Sequence, residues 1–154
     1  MARIRVTDDG GIDGAFERAT AISARVLKVP RVGIWLFEAD GRSLRCAHLH
    51  GPEGTARPDP RYLDGELYPK YVDALKAQRW LASDDVESDP MMAELWASYL
   101  KPLGIRSMLD APLFRGSELV GVVCHEHTTG PPKTGRSRAR WRTRWRSRSN
   151  RKTA

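Results

Sequence analysis

With 154 residues the chain has room for one domain with a proper core but not for two. Its formal net charge of +7 averages two unlike parts: residues 133–154 hold 10 of the 26 Lys and Arg and none of the 19 acids, leaving 16 bases and 19 acids, a net of −3, on the rest. Two cysteines without CxxC spacing exclude a disulfide framework or zinc ribbon, and the lack of a signal-like apolar start or a roughly 20-residue apolar run predicts a soluble, cytoplasmic chain with no membrane span.

The first periodic segment, IDGAFERATAISARVLKVP, carries Phe16, Ala19, Ile22, Val26 and Leu27 on one face of a helix. Asp13 is placed to cap it and Pro30 to close it. RVGIWLFEADGRSLRCAHLHG follows, two β-rich runs flanking ADGRS, whose Asp-Gly pair signals a hairpin. GPEGTARPDP reads as a loop. PRYLDGELYPKYVDALKAQ reads as a helical region interrupted around Pro69. RWLASDD is a short strand. In SDPMMAELWASYLKPLG, Ser88 or Asp89 caps a helix, Pro90 suits its first turn and Gly104 its end. IRSMLDAPLFRGSELVGVVCHEH is two strands joined at Arg115-Gly116-Ser117. Short hairpins mixed with helices predict an α+β domain: an antiparallel sheet of about five to six strands with helices on its faces.

The four histidines form two HxH pairs, His48 with His50 and His125 with His127, each on one face of its strand. Two such strands side by side would make a metal site, but strand-end histidines at a polar edge are the plainer reading, and no metal is assigned. Tyr62, Tyr68, Tyr71, Trp80, Trp96 and Tyr99 cluster in the middle, with Trp35 on the first strand. Such rings suit either a core or a small-ligand pocket. Cys46 and Cys124 have no basic neighbour to activate them and read as small buried hydrophobes. SDDVESD reads as a capped, solvated turn. No GxSxG, Walker loop, HExxH or deaminase pattern is present, so no catalytic residues are assigned.

The order of these elements resembles a GAF domain. The most telling part is the closing segment: a small residue, an apolar strand, Ala-Pro, a Gly-centred turn and Leu-Val-Gly-Val-Val. DDVESDP before the next helix fits too. The likeness covers roughly residues 11–130, with 131–154 a basic tail of disordered composition. It implies a sensory, non-catalytic module of the kind found in bacterial sensor kinases and two-component systems, joined to a kinase, cyclase or phosphatase output domain. It also implies a homodimer through the N-terminal helix. A pocket for an unidentified small molecule is expected between one sheet face and the middle helices, with Trp35, Cys46, His48, Tyr68, Tyr71, Trp96, Tyr99, Leu109 and Cys124 as candidate lining. Family members take cyclic nucleotides, bilins, haem or small metabolites. The cofactor here is unknown, and cysteines in predicted strands argue against bilin attachment.

Arginine occupies every second position from Arg136 to Arg148. One reading is a nucleic-acid arm, with Arg140, Arg142, Arg144 and Arg146 on phosphates and Trp141 and Trp145 stacked on bases. The leading reading is different. GAF domains end in an Ala/Val/Leu-rich helix, often after a Trp-Thr step, and that helix is missing. Lys-Thr-Gly-Arg-Ser-Arg can be encoded so that a shifted register reads Asp-Trp-Thr-Val-Glu, and RWRTRWRSRSN can likewise give VADAVALAIE, since Arg and Ser have six codons each. The tail is therefore expected to be a frameshifted ending on a truncated sensor, touching nucleic acid only non-specifically.

Overall fold

The structure, a computed structural model, describes residues 11–51 and 62–128. Helix α1 spans Gly11–Leu27. Asp13 lies inside its first turn, where a negative charge meets the positive end of the helix dipole, and not at the cap. The helix ends in a Schellman motif: Lys28 turns left-handed (φ 57°) and the Val29 N–H reaches the Ala24 carbonyl at 3.1 Å. Val29 then packs with Ala24 and Val32, which fixes how the chain enters strand β1.

Six strands follow among the described residues: β1 Arg31–Phe37, β2 Leu44–His50, β3 Tyr62–Leu63, β4 Leu81–Ser83, β5 Ser107–Arg115 and β6 Glu118–His127. They form one antiparallel sheet in the order β3-β2-β1-β6-β5-β4. The predicted Asp-Gly hairpin is present: Asp40 accepts from the Arg42 and Ser43 amides at 2.8 Å each, and Gly41 sits at φ 66°. The β5–β6 turn likewise rests on Gly116 at φ 64°.

Helix α2 is Pro69–Ala77. The expected interruption at Pro69 is instead the start of this helix, because a proline in the first turn loses no hydrogen bond it needs. Residues just before it form β3 and a turn. The last helical segment is irregular: a 3₁₀ turn Pro90–Met92, one α turn α3 at Ala93–Leu95 and a π turn Trp96–Leu100. Asp89 caps it by accepting from the Met91 amide at 3.0 Å, and Lys101 N–H bonds back to Trp96 O at 2.9 Å.

Two layers cover the sheet. On one face α1 lays Phe16, Thr20 and Ala24 towards β1 and β2. On the other, α2 and the 90–100 segment close over a core that includes Trp35, Leu44, Tyr71, Leu75, Leu95, Tyr99, Leu100, Met108 and Val122. Gly121 makes the close strand packing under Trp35 feasible, since a Cβ there would sit 2.1 Å from the Trp35 carbonyl oxygen.

Candidate functional site

The sheet face under α2 is built by alternation. Register pairs Trp35 with Val122, Arg31 with Glu126, Met108 with Glu126 and Asp110 with Cys124, so all of these side chains share one face. Gly33, one step before Trp35, leaves room for the indole; a Cβ there would lie 3.0 Å from Trp35 Nε1. Over these residues stand Tyr71 from α2 and Leu95 and Tyr99 from the last helical segment. Together with Leu44 and Leu63 they line a cavity of about 10 Å³, room for one water.

The polar groups in this layer form two clusters. In the first, Glu126 is 1% exposed; its Oε2 accepts from Arg31 Nε at 2.8 Å and its Oε1 from the Tyr99 hydroxyl at 2.7 Å. Tyr99 also meets Trp35 edge-on, with ring centroids 5.8 Å apart. In the second, Asp110 is fully buried. Its Oδ2 accepts from the Tyr71 hydroxyl at 2.6 Å, while Oδ1 accepts no hydrogen bond. The Cys124 thiol lies against this carboxyl as a weak donor at best.

Burial dominates the proton affinities. Desolvation pushes the Asp110 carboxyl up to about 7, against the lowering effect of Tyr71 and Cys124. Desolvation likewise raises Cys46 to about 12 and Cys124 well above an ordinary thiol, so both stay protonated at neutral pH. Asp110 then sets a pH dependence. Its folded pKa lies above the unfolded value of 3.8, so its contribution to stability is fully present below about pH 4 and is lost as pH rises through about 7. Asp110→Asn is expected to flatten that slope, about 1.4 kcal/mol per pH unit. Urea unfolding of both proteins at a series of pH values from about 5 to about 8 reads it; parallel curves would contradict the assignment.

The sequence-nominated residues separate into groups. Trp35, Tyr71, Tyr99 and Cys124 line the cavity. Tyr68 is buried beside it, its hydroxyl 2.9 Å from Ser98 Oγ, and Cys46 and Trp96 are partly buried against the same core. His48 and Leu109 are on the opposite face. A bulge at Ala47 pairs Cys46 with Trp35 but His48 with Ile34, and Leu109 pairs with His125, which faces away from Cys124. Tyr62 is exposed. Asp110, Glu126 and Arg31 were not nominated; the signal was an acid inside each of two apolar strands and an arginine opening a third.

Strand β1 lies between β2 and β6, so the two HxH pairs are not adjacent. Among the described residues no three His, Cys, Asp or Glu side chains come together as metal ligands. The acidic run is used locally: Ser88 bonds Asp85 at 2.9 Å, Glu87 pairs with Arg106 at 3.1 Å and Asp89 caps. Arg140, Trp141, Arg142, Arg144, Trp145 and Arg146 lie outside the described residues. No helix among the described residues is long and apolar enough to cross a membrane.

A protein-family model of the GAF domain matches residues 11–145. The chain belongs to the GAF family. Solved GAF structures share its fold. One is the blue-light absorbing form of the Thermosynechococcus elongatus PixJ GAF domain, at 19% identity and TM-score 0.63, covering 90% of this chain and 89% of that one. Another is the GAF domain of a two-component sensor histidine kinase from Bacillus halodurans, at 17% identity and TM-score 0.57, covering 81% and 79%. The fold is also similar to that of the free methionine-R-sulfoxide reductase from Neisseria meningitidis, solved in complex with its substrate, at 18% identity and TM-score 0.60, covering 81% of this chain and 68% of that one. No curated protein matches the chain. As a GAF domain it is a sensory regulatory module.

Proposed function

We propose that this chain is the small-molecule input module of a cytoplasmic signal-transduction protein, working by binding and not by catalysis. The observation that carries the reading is the cavity between the sheet and α2, framed by Trp35, Tyr71 and Tyr99 and backed by buried polar groups. A ligand larger than one water requires α2 or the 90–100 segment to shift. Glu94 ties these two together, its Oε2 accepting from the Lys70 and Tyr71 amides at 3.0 and 3.2 Å. Binding thus selects between two packings of one coupled unit, and differential affinity for them is the signal. The output is passed on through α1, whose Ile12, Ile22 and Val26 stay 54%, 52% and 40% exposed along one side. That stripe suits pairing with a second copy.

The test is a metabolite library scanned by thermal unfolding of the full chain. A true ligand at about 100 times its Kd stabilises by about 2.7 kcal/mol, a rise of roughly 5–10 °C for a domain of this size. A library in which nothing raises Tm, or in which every hit acts equally on Trp35→Ala, would overturn the reading.

The same proposal treats residues 133–154 as an out-of-register copy of the family's closing helix. The alternating-arginine composition supports it. Sequencing the locus through codon 133 in three frames decides it. An Ala/Val-rich helix in a neighbouring frame is the expected result, and silence in the other frames would remove the idea.

A further inference from the structure

We infer that the ligand of this pocket is an organic cation carrying an N–H donor beside an apolar body, with Asp110 as its counter-charge. The inference rests on the sensory reading above and names the chemical class of its ligand. Asp110 is fully buried, yet Oδ1 has no hydrogen-bond partner among the described residues. An orphaned carboxyl oxygen in an apolar layer costs free energy that a fold retains only with a reason. The groups on every side of it are Tyr71 from α2, which occupies Oδ2, and Cys124 and Glu126 from β6; β4 contributes only Leu81 opposite. Glu126 is already held by Arg31 and Tyr99, so its charge is spent. Among the described residues no cation offsets Asp110 itself.

The surroundings complete the match. Tyr71 and Cys124 touch both Asp110 and the cavity, and the cavity walls include the rings of Trp35, Tyr71 and Tyr99. Aromatic faces attract a cation and also bury an apolar body. An anionic ligand would face the Glu126 carboxyl on the cavity wall with Asp110 directly behind Tyr71 and Cys124, while the guanidinium beside them, Arg31, is already bound to Glu126 and does not line the cavity. Because burial holds the empty-site carboxyl largely protonated below about pH 7, entry of an ammonium group displaces that proton to solvent. The Asp110 O–H bond breaks, the carboxylate accepts the ligand N–H, and the ammonium keeps its own protons.

The test uses the full chain and three isosteric probes: benzylamine, benzyl alcohol and benzoate, titrated by calorimetry. Benzylamine alone is expected to bind. Its affinity should rise about tenfold per pH unit up to about pH 7 and level off above, and at about pH 6 close to one proton should be released per ligand when two buffers of different ionisation enthalpy are compared. Asp110→Asn, which keeps the acceptor for Tyr71, should abolish both the preference for the amine and the proton release. Proton release on the unaltered chain tests the idea even if that variant fails to fold. Amine binding without proton release, or equal binding to Asp110→Asn, would overturn it. Binding of the alcohol or benzoate in place of the amine would overturn the cation while leaving a sensory pocket. No binding by any probe would count against the cation, and the library screen would then decide the sensory reading separately.

Discussion

Arg31→Ala is expected to destabilise the domain by about 3–5 kcal/mol, because it strands the Glu126 carboxylate in the core. The side chain of Glu126 is 1% exposed and that of Arg31 13%, with the two joined at 2.8 Å, so almost no water stands ready to replace the guanidinium. Burial disfavours the Arg31 charge, but the carboxylate and its hydrogen bond outweigh that and raise the guanidinium further above its ordinary value. The Tyr99 hydroxyl still donates to Oε1 after the substitution, but one neutral donor does not balance a buried charge. Pairing Arg31→Ala with Glu126→Gln should recover most of the loss, since the charge disappears with its partner. Denaturant unfolding of the two single variants and the double variant gives the coupling directly. A loss under about 1 kcal/mol for Arg31→Ala would mean that the pair behaves like a surface ion pair. By contrast Arg45–Glu38 and Arg115–Glu118, both exposed, are such pairs and should be nearly silent when broken.

Sequence pattern reached the fold because each element announced itself locally. The helical run of α1, the Asp-Gly hairpin and the Gly116 turn are set by residues within a few positions of one another. The expected stripe of α1 is not the buried one, however: Ala15, Phe16, Thr20 and Ala24 face the sheet while Ile22 and Val26 stay exposed. Pattern also reached four cavity residues, since buried rings at the right spacing leave few other places to be. It failed where the deciding contact is remote. Nothing near Ala47 marks a bulge, yet that single extra residue sends Cys46 and His48 to opposite faces of the sheet. Leu109 was nominated as pocket lining through the family resemblance, but alternation from Asp110 fixes the other face once Tyr71, 39 positions upstream, claims that carboxyl. Asp110 and Glu126 themselves stood in plain view as acids inside apolar strands. A buried acid signals a function only when its partners can be counted, and those partners come from three other elements.

Trp35→Ala is expected to cost about 3–5 kcal/mol, as for other buried aromatic-to-alanine changes, and to separate the pocket's two duties, packing and binding. Trp35 is 1% exposed and central to the layer: it supplies one cavity wall, receives the edge of Tyr99 and lies over the strand carbonyl that Gly121 approaches. Removing the indole leaves Tyr99 without its ring partner and opens an apolar void in place of a cavity that holds one water. Such a void stays dry and accepts apolar guests. Indole added to Trp35→Ala should therefore raise Tm by several degrees through mass action, while leaving the unaltered domain unmoved. Trp35→Phe should fall between the two, because most of the ring area returns. If indole stabilised both proteins alike, it would be acting elsewhere on the surface. If it stabilised neither, α2 would have collapsed into the space. The second outcome is informative about mechanism: a helix that falls inward when its support is removed is one that a ligand can push outward.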